Sequence, residues 1–296
     1  MNKLITKITM IALALSLFIP SVALAGYPGK TTSLHKAIIS RNPEKAIKII
    51  NADKVDLNAR TANKNHNSAL HLAAYFGDKD VVELLIEKGA DIEIRNNNKQ
   101  TPIFSAIQGN QTEIAMLFVD EGAKLDVEHL SDKNYPDGSL YRRFTPLAYA
   151  IYCCDQKTAV HIINAMVEQG LNLEGNSYFN YLHQAIRVGT PKVVKHLIDN
   201  GVNVNNIEDI NKGTPLIMAI EEYYSYFRRD YPMKERYLEI IKYLVDADLD
   251  IEDSIDRTPF QLATHYGLED VADIITAKRN FAHGILNDIY YAVKNW

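Results

Sequence analysis

Ser68-Ala69-Leu70-His71-Leu72-Ala73-Ala74-Tyr75-Phe76-Gly77 decides how this chain is read, together with three groups just downstream: Val81-Val82, Leu84-Leu85-Ile86 and Gly89-Ala90-Asp91. A hydroxyl residue stands ahead of an apolar run, and its side-chain oxygen can accept from an orphan N–H in the first turn of a helix. Apolar residues recur at helical spacing up to Gly77 and again from Val81 to Ile86, so two short helices joined by a turn are expected. Gly89 comes after the second helix, where a left-handed residue closes the last turn without a Cβ clash.

The frame repeats. Thr101-Pro102, Thr145-Pro146, Thr214-Pro215 and Thr258-Pro259 open it again, and weaker openings lie at Thr32-Ser33-Leu34-His35 and Asn180-Tyr181-Leu182-His183. Pro in the first turn wastes no N–H and brings a suitable φ. Gly122, Gly170 and Gly201 stand where Gly89 does. Starts at 32, 68, 101, 145, 180, 214 and 258 give about seven helix–turn–helix units.

The Thr-Pro-Leu-His-x-Ala opening, the mid-repeat Gly and the Gly-Ala-Asp ending, at a period of about 33 residues, resemble the ankyrin-repeat family. The resemblance covers residues 32–278 and is closest over 68–100. It implies an all-α ankyrin-repeat solenoid with short β-hairpin fingers, in which each repeat buries its apolar faces against its neighbours. It also implies that His35, His71 and His183, the His of the opening, hydrogen-bond the backbone and tie adjacent repeats rather than serve catalysis or a metal.

Family members bind through finger tips and the solvent-facing end of the inner helix. Carried onto this chain, those positions are Lys64, Asn65, Asn67, Tyr75 and Phe76, then Tyr141, Arg142, Phe144 and Tyr152. Asn176, Ser177, Phe179 and Arg187 come next, then Glu221 and Glu222 leading into the sixth repeat's insertion, and Arg257, His265 and Tyr266 in the seventh.

Departures from the period mark places to look for function, since insertions in repeat arrays map to loops, often on the binding face. About eleven extra residues lie between Gly122 and Thr145, where Pro136-Asp137-Gly138 favours a turn and a lengthened finger. Roughly four extra residues lie between Tyr152 and Gly170, and about thirteen between Thr214 and Asp248. The last insertion includes Tyr223, Tyr224, Tyr226 and Phe227 before Arg228-Arg229-Asp230-Tyr231-Pro232. Aromatics and Arg are enriched at binding hot spots. Two readings stand here: a binding element, or an elongated first helix whose aromatics pack on a second helix near Tyr237, Ile240 and Ile241.

The ends differ from the repeats. Lys3 and Lys7, the apolar run Ile8–Ile19 and Ala23-Leu24-Ala25 read as a signal peptide over residues 1–25, with residues 26–31 a flexible lead-in. The apolar run is shorter than a membrane span requires. At the other end Phe281, Ile285, Leu286, Ile289, Tyr290 and Val293 recur at helical spacing, so 279–296 is expected to form a capping helix; deleting Phe281 to Trp296 should lower the thermal unfolding temperature.

Composition restricts the function classes. A formal charge of −5 argues against nucleic acid, whose binding depends on clustered Lys and Arg. The two cysteines, Cys153 and Cys154, are neighbours in sequence, and a bridge between them would close almost no loop. His66, His129 and His265 lack ligand spacing for zinc. Gly26-Tyr27-Pro28-Gly29-Lys30-Thr31 is too short for a phosphate loop, which needs four residues between its glycines.

The expectation is therefore an exported protein–protein interaction module, not an enzyme, with no cofactor or metal and no membrane contact after signal cleavage. It would be a monomer, periplasmic or extracellular, holding a protein or peptide on its concave face. Two alternatives use the same sequence: a secreted effector that acts on a host protein by binding it, and a protective or structural periplasmic protein without specific recognition.

Overall fold

Each opening residue starts a helix. In the computed structural model, which describes residues 31–280 apart from 53, 132–141, 154, 177–178, 207–212, 228–232 and 248–257, the side chains of Thr32, Ser68, Thr145, Asn180 and Thr258 accept the N–H three residues on. Thr101 is the exception: it precedes its helix with no side-chain cap. The expected signal peptide, most of the expected lead-in and residues 281–296 of the expected capping helix lie outside the described residues.

The chain divides into two compact units, residues 1–124 with 128–141, and residues 125–127 with 142–296. The division falls in the insertion that precedes Thr145.

Among the described residues, unit 1 contains three helix pairs: α1 (Ser33–Ile39) with α2 (Pro43–Ile50), α3 (Ala69–Phe76) with α4 (Lys79–Glu87), and α5 (Pro102–Gln108) with α6 (Thr112–Asp120). The inner helices are buried on nearly every side, as with Ala69 to Ala74 in α3. Small Ala73 and Ala74, fully buried, let α3 sit close to both α1 and α5. The outer helices bury one stripe, Val81, Val82 and Leu85 in α4, the pattern of an amphipathic helix on a core. Close approach also fixes Gly109: a Cβ there would lie 2.2 Å from the carbonyl oxygen of Tyr75.

Unit 2 continues with α7 (Pro146–Tyr152) and α8 (Gln156–Glu168), α9 (Tyr181–Val188) and α10 (Pro191–Asp199), α11 (Pro215–Phe227) and α12 (Lys234–Ala247), then α13 (Pro259–His265) and a helix α14 over 269–280. Short strands β1 (His129–Ser131) and β2 (Arg142–Phe144) stand on either side of residues 132–141. The finger before α9 is an antiparallel pair, β3 (Gly175–Asn176) with β4 (Phe179–Asn180). The four extra residues of the fourth repeat are one more helical turn: α8 has 13 residues where α4, α6 and α10 have 9. The sixth-repeat insertion likewise lengthens both helices, to 13 residues in α11 and 14 in α12. Gly89, Gly122, Gly170 and Gly201 all have positive φ, from 66° to 84°, as their place after the outer helices requires.

A second set of repeat ties runs beside the helices. Asp56, Asp91, Asn172 and Asn203 each accept, through Oδ1, the N–H two residues on, at 2.8–3.0 Å. These local turns present the next polar residue to the following repeat. Asn58 accepts the N–H of Asp91 at 2.9 Å, Glu93 that of Lys124 at 2.7 Å, and Glu174 that of Asn203 at 2.8 Å.

Candidate interaction surface

Of the three histidines of the repeat opening, His71 ties two repeats through its ring. His71 is buried, its Nε2 lies 2.9 Å from the carbonyl oxygen of Gln100, and its Nδ1 lies 2.8 Å from Ser68 Oγ. A carbonyl only accepts, so Nε2 carries the proton and Nδ1 accepts from Ser68. Burial lowers the His71 pKa to about 4, the Gln100 carbonyl opposes the fall and Arg60 adds to it. His35 pairs its Nδ1 with Thr32 Oγ1 at 2.7 Å and is also lowered, first by burial. His183 is fully buried, its N–H capped by Asn180. Among the described residues, no three His, Cys, Asp or Glu gather into a possible metal site, and no helix is long and apolar enough to cross a membrane.

In unit 1, Tyr75 and Phe76 end α3, both half-buried, with rings edge to face at 5.4 Å. Arg41 lies over the Phe76 ring, 5.2 Å from its centre, and donates to the Phe76 carbonyl. Beside them, burial raises the Asp78 carboxyl while Arg41 opposes the shift. The end of the inner helix thus presents an aromatic pair with a fixed guanidinium.

Unit 2 places Tyr152 at the end of α7, Arg187 in the last turn of α9, Glu222 on α11 and Tyr266 after α13, all half-buried. Tyr152 stacks on Tyr149, with centres 6.5 Å apart. Arg187 donates to Gln184 at 3.4 Å. Burial raises the Glu222 carboxyl, Arg187 opposes this and exposed Glu221 adds to it. His265 is exposed and tilts against Tyr266 at 5.5 Å.

Two expected surface residues are core residues. Phe144 is fully buried against Tyr149 at 5.7 Å and Tyr152 at 5.4 Å. It precedes the cap Thr145, and its partner Tyr149 sits at the fourth helical position, the arrangement of a hydrophobic staple. Tyr223 is also fully buried. Its O–H donates to Asp270 of the next repeat, and burial followed by that carboxylate raises its pKa.

The rest of the sixth-repeat aromatics decide between the two readings of the insertion. Tyr224 stacks on Tyr266 at 3.9 Å, and Tyr226 on Tyr237 of α12 at 5.2 Å. The Tyr237 O–H in turn donates to the Arg187 carbonyl at 3.0 Å. Over the described residues the insertion is an elongated, packed helix that ties together the fifth, sixth and seventh repeats. Arg142 and Phe179 lie on β2 and β4, and Phe227 ends α11; Tyr141 and Arg257 fall outside the described residues.

Known proteins share this geometry. The chain matches the model for ankyrin repeats (3 copies) over residues 14–96 and 70–177, and that for a single ankyrin repeat over 177–206. Rabankyrin-5 of Homo sapiens is 29% identical over 205 residues, 64% of this chain and 16% of that protein. The NF-kappa-B inhibitor cactus of Drosophila yakuba is 30% identical over 95 residues, 32% of this chain and 19% of that one. The chain therefore spans less than a fifth of either relative. The crystal structure of the human ASB11 ankyrin repeat domain superposes with a TM-score of 0.55 at 20% identity, covering 83% of this chain and 97% of that one. With a helix at each of the seven openings, and the left-handed glycines and the His71 tie in place, this chain belongs to the ankyrin-repeat family.

Proposed function

We propose that the chain is an exported protein–protein interaction module that holds a protein or extended peptide on the inner-helix face of its repeats. Ankyrin repeats generally mediate protein–protein interaction, and they are typically not enzymes. Cactus, a relative by sequence, is named as an inhibitor of a protein. One observation carries the reading for this chain. Within unit 2, Tyr152, Arg187, Glu222 and Tyr266 come from successive inner helices, Glu222 within its helix and the other three at or just past the helix end, each half-buried and each an aromatic or charged residue. Side chains anchored on rigid helices lose little entropy when they bind. Export is supported by the charged, apolar and small-residue order of residues 1–25.

The test has two parts. Capture of partners by the mature chain, followed by mass spectrometry, should yield a defined protein that is lost when Tyr152 and Arg187 are replaced by Ala; undiminished capture refutes the face. N-terminal sequencing of the chain recovered outside the cytoplasm should begin at Gly26, and a chain that keeps residues 1–25 inside the cell refutes export.

A further inference from the structure

Unit 1 segregates its charges. Residues 32–42, 57–77 and 94–112, which supply its inner helices and the turns leading into them, contain Lys36, Arg41, Arg60, Lys64, Arg95 and Lys99 and not one Asp or Glu. All six cations are exposed. Most acids of the unit lie elsewhere, on the outer helices and the loops that follow them, as with Asp80, Glu83, Glu87 and Glu113. A single-sign surface of this kind attracts the opposite charge.

The cations also stand on a rigid support. Arg60 bridges Ser68 across the first turn, and the Asn96 N–H donates to Gln100 across the second. The two turns are stitched together. Asn97 donates its N–H to the Asn65 carbonyl at 3.0 Å and its Nδ2 to the Lys64 carbonyl at 2.6 Å, while Asn96 Nδ2 donates to Asn67 Oδ1 at 2.9 Å. These bonds use main chain and amides and leave the Lys64, Arg95 and Lys99 side chains to solvent. Arg60 and Arg95, each four residues after the Asp of its local turn, occupy matching places in successive repeats, and Lys99 takes the place of His66, both at positive φ.

We propose that these stitched turns bind an acidic, extended segment of a partner protein, with its Asp or Glu side chains set against Arg60, Lys64, Arg95 and Lys99. The proposal rests on the reading of the array as a binding module and adds the chemistry of the partner. Packed helices stand about 8–10 Å apart and an extended chain rises about 3.3 Å per residue. Carboxylates about three residues apart therefore match cations on adjacent repeats. Amides of Asn65 and Asn98 are at hand for the segment's main chain. A nucleic acid fits less well: it carries a charge about every 1.7 Å, while the whole protein has a net charge of −5.

The experiment is fluorescence anisotropy of a labelled peptide of repeated Glu-Ser-Gly with the full chain, beside a Lys-Ser-Gly peptide and a single-stranded oligonucleotide. The Glu-Ser-Gly peptide should bind saturably and weaken with salt. Lys64→Glu with Arg95→Glu should weaken it by about tenfold or more, while Lys45→Glu with Lys48→Glu, on the exposed side of α2, should leave it unchanged; circular dichroism of both variants should match that of the parent chain. Absence of saturable binding, or binding indifferent to the first pair of substitutions, overturns the proposal. So does tighter binding of the oligonucleotide that the same pair abolishes, which would assign the turns to nucleic acid. Binding of the Lys-Ser-Gly peptide alone, lost on Arg187→Ala or Tyr152→Ala, overturns the acidic partner while leaving the module reading standing.

Discussion

Acid should weaken unit 1 through one side chain, His71. Its Nε2–H is committed to the Gln100 carbonyl and its Nδ1 accepts from Ser68, so a second proton has nowhere to go except Nδ1, where it would face a donor. With burial this lowers its pKa to about 4 from an ordinary 6.5. The sign comes from proton counting. Between those values the unfolded chain binds a proton that the folded one does not, so stability rises with pH across the window. The contribution is complete above about 6.5 and gone below about 4. At 1.36 kcal/mol for each tenfold change in proton affinity, the fall is worth roughly 3 kcal/mol. That is a large part of the 5–15 kcal/mol that holds a typical domain together.

The carboxylates of the chain also titrate on the way to pH 4, so the measurement is a difference. His71→Gln keeps an amide donor for the Gln100 carbonyl and cannot take up the proton. Urea unfolding of the parent chain and of this variant at pH 7 and at about pH 4, with hydrogen exchange at the α3 amides to localise the effect, gives the contribution of His71 alone. The parent should lose roughly 3 kcal/mol more than the variant over that range. Equal losses in the two proteins would refute the assignment of His71 as a neutral tie between repeats.

Other substitutions test the packing. Gly109→Ala sets a methyl against the Tyr75 carbonyl at 2.2 Å; overpacking costs about 1–3 kcal/mol and exceeds the entropic gain of about 0.4–1 kcal/mol, so thermal unfolding should occur at lower temperature. Glu93→Ala removes the acceptor for Lys124 N–H and should cost up to about 1 kcal/mol in urea unfolding, because the freed N–H is reached by water. Tyr223→Phe should cost about 1 kcal/mol through the lost bond to Asp270, and Tyr223→Ala about 3–5 kcal/mol through the cavity it leaves. Glu221→Gln, at an exposed position on the same helix, should leave unfolding unchanged.

The parts of the fold legible in the sequence were those fixed by local chemistry. A Thr or Ser before an apolar run, a Pro in the first turn and a Gly after the second helix each act within a few residues, and the structure puts caps and left-handed backbone where they stand. The length of α8 was also readable, because four residues added to a helical pattern make one turn. The Asp-x-Asn and Asp-x-Glu steps at 56–58 and 91–93, and their equivalents at 172–174 and 203–205, carried a repeat signal of the same local kind that the Gly-Ala-Asp ending overshadowed.

The surface was harder to read because exposure is decided by distant residues. Phe144 had a local signal, an apolar residue ahead of the cap with Tyr149 at the fourth helical position. Tyr223 had none. Counting aromatics against one extra turn leaves several exposed, but the insertion lengthens α11 and α12 together and brings a partner for each ring. Tyr237 receives Tyr226, Tyr266 receives Tyr224, and Asp270, 47 residues away, accepts the O–H of Tyr223. This redirects any test of binding. Replacing Tyr223, Tyr224 and Tyr226 with Ala would dismantle the brace across three repeats, and a lost interaction would then report unfolding. The residues best placed to report recognition are those with fewest core contacts: Arg187 at the end of α9, Glu221 on the open side of α11, and the exposed cations of unit 1.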